Sequence, residues 1–194
     1  MTRSVFSLAV LLASLITGSP VRSAHPPVGL GTADRFAVPA GSTVTNTGPT
    51  VVNGDLGVSP GSAVTGFPPG TVTGTIQVQN RVAAQGQSDL TIAYNDAAGR
   101  ACAETLTGQD LGGLRLLDGT YCYGSSAQLT GTLTLNAQGD PDAVFIFQVG
   151  STLTTASGSR VRLINGAQSC NVFWQIGSSA TLARTPPSGE TSWH

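Results

Sequence analysis

Lysine is absent from this chain of 194 residues, so every basic residue is arginine or histidine. Acidic residues are almost as scarce. Nine Lys+Arg face ten Asp+Glu, the net charge is -1 and charged residues make up 10%, against roughly 25% in ordinary soluble domains. Such a chain offers neither a basic field for nucleic acid nor an acidic field for cations. The two histidines, His25 and His194, give Ser-His or Cys-His catalysis little to draw on. The three cysteines fall in no C-x-x-C or other metal spacing. There is no Asp-rich calcium repeat and no phosphate-cradling glycine motif, Gly112-Gly113 being an isolated pair. Asp140 and Asp142 flank a proline in a turn, where Asp is expected on structural grounds. The residues therefore call for no enzyme activity, metal or cofactor. Low charge is not disorder here, because 40% of residues are hydrophobic and β-branched residues are common.

What the chain has instead is threonine at every second position. Thr43, Thr45 and Thr47 alternate along one run, as do Thr71, Thr73 and Thr75, then Thr130, Thr132 and Thr134, followed by Thr152 and Thr154. A period of two sends alternate side chains to opposite faces of a strand. One face is then apolar or small, and the other is a row of short hydroxyl-and-methyl groups. With 25 glycines and 11 prolines, many short strands and turns are expected rather than long helices.

Residues 1–24 read as a signal peptide. Arg3 precedes an apolar run from Val5 to Ile16, too short for a bilayer, and Val21-Arg22-Ser23-Ala24 offers a cleavage point. No other membrane-length segment occurs, so a secreted, extracellular product with no membrane contact in its mature form is expected. Export permits a disulfide. Cys102 and Cys122 are separated by about one solenoid turn and are the candidate pair. Cys170 is then either a buried free thiol or the partner of something further.

Residues 25–79 read as short strands broken by Thr47-Gly48-Pro49, Asn53-Gly54-Asp55, Ser59-Pro60-Gly61 and Phe67-Pro68-Pro69-Gly70. From about residue 80 to 99 the period changes. Val82, Ala83, Leu90, Ala93, Tyr94 and Ala97 fall at helical spacing, and Gly99 follows as a C-cap. Asp89 and Asp96 on this helix are expected to be solvated, and Asp55 to hold a turn. Strands resume after Ala101, with the run 143–149 the most apolar and central to the core. Trp174, Phe145 and Phe147 read as core. Tyr121 and Tyr123 are the aromatic pair expected to be exposed.

Three strings carry a resemblance: residues 46–61 (NTGPTVVNGDLGVSPG), residues 140–148 (DPDAVFIFQ) and residues 170–180 (CNVFWQIGSSA). They resemble signatures of the bacterial ice-binding-protein-like family over about Leu30 to Leu182. The resemblance implies an all-β fold with one helix, namely a right-handed β-solenoid (β-helix) of triangular section with an α-helix alongside. It also implies a partner, the ice crystal surface with its ordered water, met through a flat Thr-rich face. The solenoid domain is placed at 25–182. Residues 183–194 lack the family's pattern and carry adjacent prolines, which oppose a strand. That tail reads as the product of truncation or a frameshift, with self-association through exposed strand edges as the expected result.

Thr130, Thr132 and Thr134 with Thr152 and Thr154 are the first candidates for the ice-binding face, and Thr71, Thr73 and Thr75 the next. Two other readings stay open, an extracellular structural or adhesion module and an inactive fragment.

Overall fold

The computed structural model describes residues 25–183. Residues 1–24, expected to be a signal peptide, and the tail from residue 184 onward lie outside it. Seventeen short strands and one long helix wind into two stacks of coils, and every strand pairing is parallel. The architecture is a right-handed β-solenoid, three strands to a coil with a corner between each.

The first stack contains β1 (Phe36–Ala40), β2 (Thr43–Thr45), β3 (Val51–Val52), β4 (Asp55–Val58), β5 (Ala63–Thr65), β6 (Thr71–Val72) and β7 (Ile76–Val78). Its sheets are β1-β4-β7, β2-β5 and β3-β6. Thr43 aligns with Ala63 and Val51 with Thr71, so one coil takes about 20 residues. Alternation holds along β2 and β5, whose Val44 and Val64 are half-buried between exposed neighbours. Gly54, with φ +128°, turns the chain where only glycine is at ease.

The helix α1 (Arg81–Gly99) follows. It starts where the Asn80 side chain accepts the Ala83 N–H at 2.9 Å, satisfying one of the free N–H groups of the first turn. The expected boundaries hold within a residue, with Arg100 rather than Gly99 at the C-cap. Its buried stripe is Ala83, Gly86, Ala93 and Ala97, while Tyr94 is 41% exposed.

The second stack contains β8 (Glu104–Thr105), β9 (Arg115–Leu116), β10 (Gly119–Tyr123), β11 (Ala127–Leu129), β12 (Thr132–Asn136), β13 (Phe145–Val149), β14 (Leu153–Thr155), β15 (Arg160–Ile164), β16 (Val172–Ile176) and β17 (Ala180–Leu182). Its sheets run β16-β13-β10-β8, β11-β14-β17 and β15-β12-β9. The core lies inside these coils. Phe145, Phe147, Leu133, Leu135, Leu111 and Leu106 are almost wholly buried, and the Tyr121, Phe147 and Trp174 rings stack in series. Contrary to the sequence expectation, Tyr121 and Tyr123 are buried, at 5% and 2% exposure. On β10 they point into the solenoid on the same side as Phe145 and Phe147 on the paired strand.

The helix lies across both stacks, against β1, β4 and β7 of the first and β13 and β16 of the second. Gly86 meets Phe36 of β1. The Gln175 amide of β16 donates to the Tyr94 hydroxyl at 2.7 Å, and the Gln148 amide of β13 donates to the Ala97 carbonyl at 2.8 Å. Three helical residues advance ~4.5 Å, one strand spacing, which matches the step from β16 to β13. Gly86 to Tyr94 advances ~12 Å, more than two spacings. Beside β16 the helix is also met by Val28 and Leu30, which pack with Ala93, Ala97 and Phe173.

Cys102 and Cys122 form a disulfide, with Cα atoms 5.9 Å apart. The coil at this level is short, since Thr105 aligns with Cys122. Cys102 therefore reaches its partner from the segment before β8 rather than from the stacked position. Cys170 is a free thiol, and it is exposed rather than buried. It sits in the short 3-10 turn Ser169–Asn171 outside the coils.

Candidate functional site

The sheet β11-β14-β17 presents a neutral hydroxyl-rich surface. Ala127, Leu129 and Leu153 point inward and are buried. The alternate residues must then point out, and parallel register aligns them into rows: Gln128, Thr154 and Thr181 in one, and Ser126, Thr152 and Ser179 in the row before it. The Thr152 hydroxyl bonds the Ser126 hydroxyl at 2.8 Å, which fixes part of the second row. Spacing is ~6.5–7 Å along each strand and ~4.8 Å between strands. Asp110 pairs with Gln128 at the head of the first row, and no other charged residue stands on these rows. At the next corner Thr130 is exposed, and its N–H bonds Asp110 Oδ1 at 3.1 Å. Burial opposes ionisation of Asp110, but the N–H groups of Thr130 and Gly112, with the Thr130 hydroxyl, outweigh it and hold the carboxyl below its ordinary value.

Thr132 and Thr134, expected to continue the Thr130 row, lie on a different sheet. Gly131 occupies the corner, and β12 begins after it. Thr132 aligns with Arg160, and Thr134 with both Arg115 and Arg162. These threonines are half-buried between exposed arginines. The structure thus divides the five first candidates: Thr152 and Thr154 share one sheet, Thr130 stands at its edge, and Thr132 and Thr134 face another way.

In the first stack, Thr71 on β6 is exposed beside Val51, which is 59% exposed. The Thr73 hydroxyl accepts from Gly54 N–H at 3.0 Å and donates to the Val52 carbonyl at 3.3 Å. The Thr75 N–H donates to Asp55 Oδ1 at 2.9 Å. These two threonines build the corner between coils. The sheet β2-β5 carries exposed Thr43, Thr45 and Thr65, with Thr45 aligned on Thr65. Like β11-β14-β17, it follows the helix-facing sheet in chain order. Its place in the coil could have been read from the 20-residue repeat of the first stack. Ser126, Gln128, Ser179 and Thr181 carried no threonine periodicity to reveal them.

Other carboxylates among the described residues are tied into ion pairs and hydrogen bonds. Asp55 pairs with Arg35 at 3.5 Å and Asp96 with Arg100 at 2.8 Å. Asp89 is solvent-accessible as expected, and it also accepts from the Thr32 hydroxyl and N–H at 2.6 and 2.7 Å. Burial pushes the Tyr123 phenol up to about 12, helped by the Asp110 charge. Among the described residues no group of His, Cys, Asp and Glu could hold a metal ion, and no helix is long and apolar enough to cross a membrane.

The sequence model of the ice-binding-like family matches residues 38–189. The chain belongs to that family. An ice-binding protein of Nostoc sp. (strain HG1) is 60% identical over 153 residues, covering 79% of this chain and 56% of the relative. Ice-binding protein 1 of Shewanella frigidimarina (strain NCIMB 400) is 35% identical over 185 residues, covering 79% of this chain and 21% of the relative. The chain thus spans little more than half of the first relative and about a fifth of the second. Among solved structures, an ice-binding protein from an Antarctic biological consortium matches with TM-score 0.79 and 42% identity, over 94% of this chain and 79% of that one. The ice-binding protein of Antarctomyces psychrotrophicus matches with TM-score 0.78 and 39% identity, over 80% of this chain and 77% of that one. Family membership fits the architecture: a solenoid with one helix against one side and flat hydroxyl-bearing sheets on the others.

Proposed function

We propose that this chain adsorbs to ice, slowing crystal growth and recrystallisation, through the sheet β11-β14-β17, with β2-β5 as a second patch. The observation that carries the reading is the aligned pair of rows Gln128-Thr154-Thr181 and Ser126-Thr152-Ser179, which carry no charge beyond Asp110 at the head of the first. Threonine places a methyl and a hydroxyl side by side, so the methyl can enter a surface hollow while the hydroxyl holds an ordered water. Each contact is weak, and affinity needs many at once. A rigid sheet helps, because it loses little conformational freedom on docking. The named activities of the relatives in Nostoc and Shewanella support the same reading. Export is part of the proposal and rests on the signal-peptide pattern of residues 1–24.

Thr132 and Thr134 are left out of this face, because the arginines beside them hold their own hydration shells. Thr73 is left out because its hydroxyl is engaged within the coil, and Thr75 because it stands at the corner between β6 and β7 rather than on a sheet.

The test is Thr154→Tyr, at the centre of the three-stranded sheet. The ring should abolish most thermal hysteresis while the circular dichroism spectrum stays unchanged. Full hysteresis in the variant would reject this face as the docking surface.

A further inference from the structure

The sheet β15-β12-β9 has a character of its own. Arg115, Arg160 and Arg162 stand on its outer side, and all three are exposed. Leu133 and Leu135 of the central strand point inward at 0% exposure. Thr132 and Thr134 therefore point outward, and the residues aligned with them do too. Arg115 and Arg162 flank Thr134 from either side, about 10 Å apart across two strand spacings, and Arg160 lies ~7 Å from Arg162 along β15. None of the three joins an ion pair among the described residues, where Arg35 and Arg100 have Asp55 and Asp96. Of the acids nearest in sequence, Asp110 is held by the Thr130 and Gly112 N–H groups at the adjoining corner, and Asp118, Asp140 and Asp142 fall beyond the ends of β9 and β12. A chain with nine Lys+Arg in all thus sets three on one flat sheet. The adjacent sheet β11-β14-β17 has none on its outward rows.

We propose that the β15-β12-β9 face is a binding surface for an anionic polysaccharide, a stiff chain bearing carboxylate or sulfate groups at regular intervals. The guanidinium group binds such oxyanions through paired N–H donors. The arginines stem from paired strands, so their spacing is set by the sheet. A stiff polymer docking on it loses little freedom on either side. Thr132 and Thr134 lie between the cations and supply hydroxyls for sugar oxygens. Nucleic acid fits less well, since three cations on a chain of net charge -1 release few counterions, and no outward aromatic stands on this sheet to stack a base. A membrane fits less well, because Val161, the apolar residue between Arg160 and Arg162, aligns with the inward Leu133 and lines the interior hollow rather than the outer face. The polymer would hold the protein in an extracellular matrix while the neutral sheet around the corner stays free.

The experiment measures binding of the full chain to alginate (carboxylate) and heparin (sulfate), with neutral dextran, single-stranded DNA and phosphatidylserine vesicles as comparators, over a salt series. Alginate or heparin should bind and dextran should not, and log K should fall with log salt with a slope of about -2 to -3. The probe that binds better identifies the anion. The triple variant Arg115→Gln/Arg160→Gln/Arg162→Gln should lose at least tenfold in affinity and keep its thermal hysteresis. Arg162→Lys keeps the charge but loses the paired donors, and should weaken binding severalfold. Arg162→Glu provides a readout with a single change if the triple variant folds poorly. The proposal is overturned if neither polysaccharide binds, if DNA or vesicles bind as tightly as both polysaccharides, or if the arginine variants bind like the parent.

Discussion

Gly86 lies where α1 descends on the Phe36 ring, and a Cβ there would stand 2.5 Å from Cε2. Gly57 of β4 presses the opposite side of the same ring, where a Cβ would stand 2.7 Å from Cε1. Phe36 is 7% exposed, so the ring has nowhere to retreat. Gly86→Ala gains about 1 kcal/mol in helix propensity but overpacks a site where such insertions cost about 1–3 kcal/mol. The net expectation is a loss of about 1 kcal/mol in urea unfolding, and a variant more stable than the parent would contradict the tight fit. Neither glycine was readable as a packing residue. Glycine in a sequence signals a turn, and the ring that excludes a Cβ comes from 21 and 50 positions away. The same blindness affected Tyr121 and Tyr123. A phenol reads as half-polar, and only the alignment of β10 with β13 shows that both rings enter the core.

At the scale of elements, α1 was legible because its apolar residues recur every three or four positions and Asn80 marks its start. The alternating threonines were legible as strands for a similar reason, since a period of two needs no partner to be seen. Their grouping was not legible. A period of two does not locate the corners of a solenoid, and the corner at Gly131 parts Thr130 from Thr132 and Thr134. The helix is also fastened by carboxylates. The Thr32 hydroxyl, then the Thr32 N–H, then Gln85 hold Asp89 below its ordinary value of 3.8, and the Arg100 side chain does the same for Asp96. A depressed folded-state value means that the stabilisation is complete above 3.8 and fades as pH falls through the folded values below it. Unfolding midpoints should therefore be flat above about pH 5 and decline below about pH 4. Asp89→Asn should shrink the decline, and an unchanged acid limb would show that Asp89 contributes nothing. The disulfide acts on the segment between helix and coils. Closing a loop of 20 residues restricts the unfolded chain by about 3 kcal/mol in the entropic account. Cys102→Ser/Cys122→Ser should lower stability by about that amount in urea titration, and a loss under 1 kcal/mol would point to a bridge offset by native strain.

At the largest scale, the described residues leave the interior of the second stack open beside β17. Leu129, Leu153, Val161, Trp174, Ile176, Ala180 and Leu182 line an apolar hollow of about 270 Å³, and Leu182 is 70% exposed. Among the described residues the edges of β16, β17 and β1 have no strand partner, an arrangement that invites pairing between chains. Sedimentation velocity should show reversible association that grows with concentration, and Leu182→Lys should suppress it. A parent that stays monomeric at every concentration would exclude the edge as a contact. The two-stack layout itself could not be read from the sequence, since it depends on a helix that meets strands on both sides of it in the chain. That layout has a consequence for biosynthesis. Ala97 waits for Gln148, 51 residues on, and Tyr94 for Gln175, 81 residues on. At the usual pace of translation, half of the helix stands without its docking platform on the order of ten seconds. A nascent chain stalled in that interval would display the bare side of α1 to whatever chaperone patrols the exit tunnel.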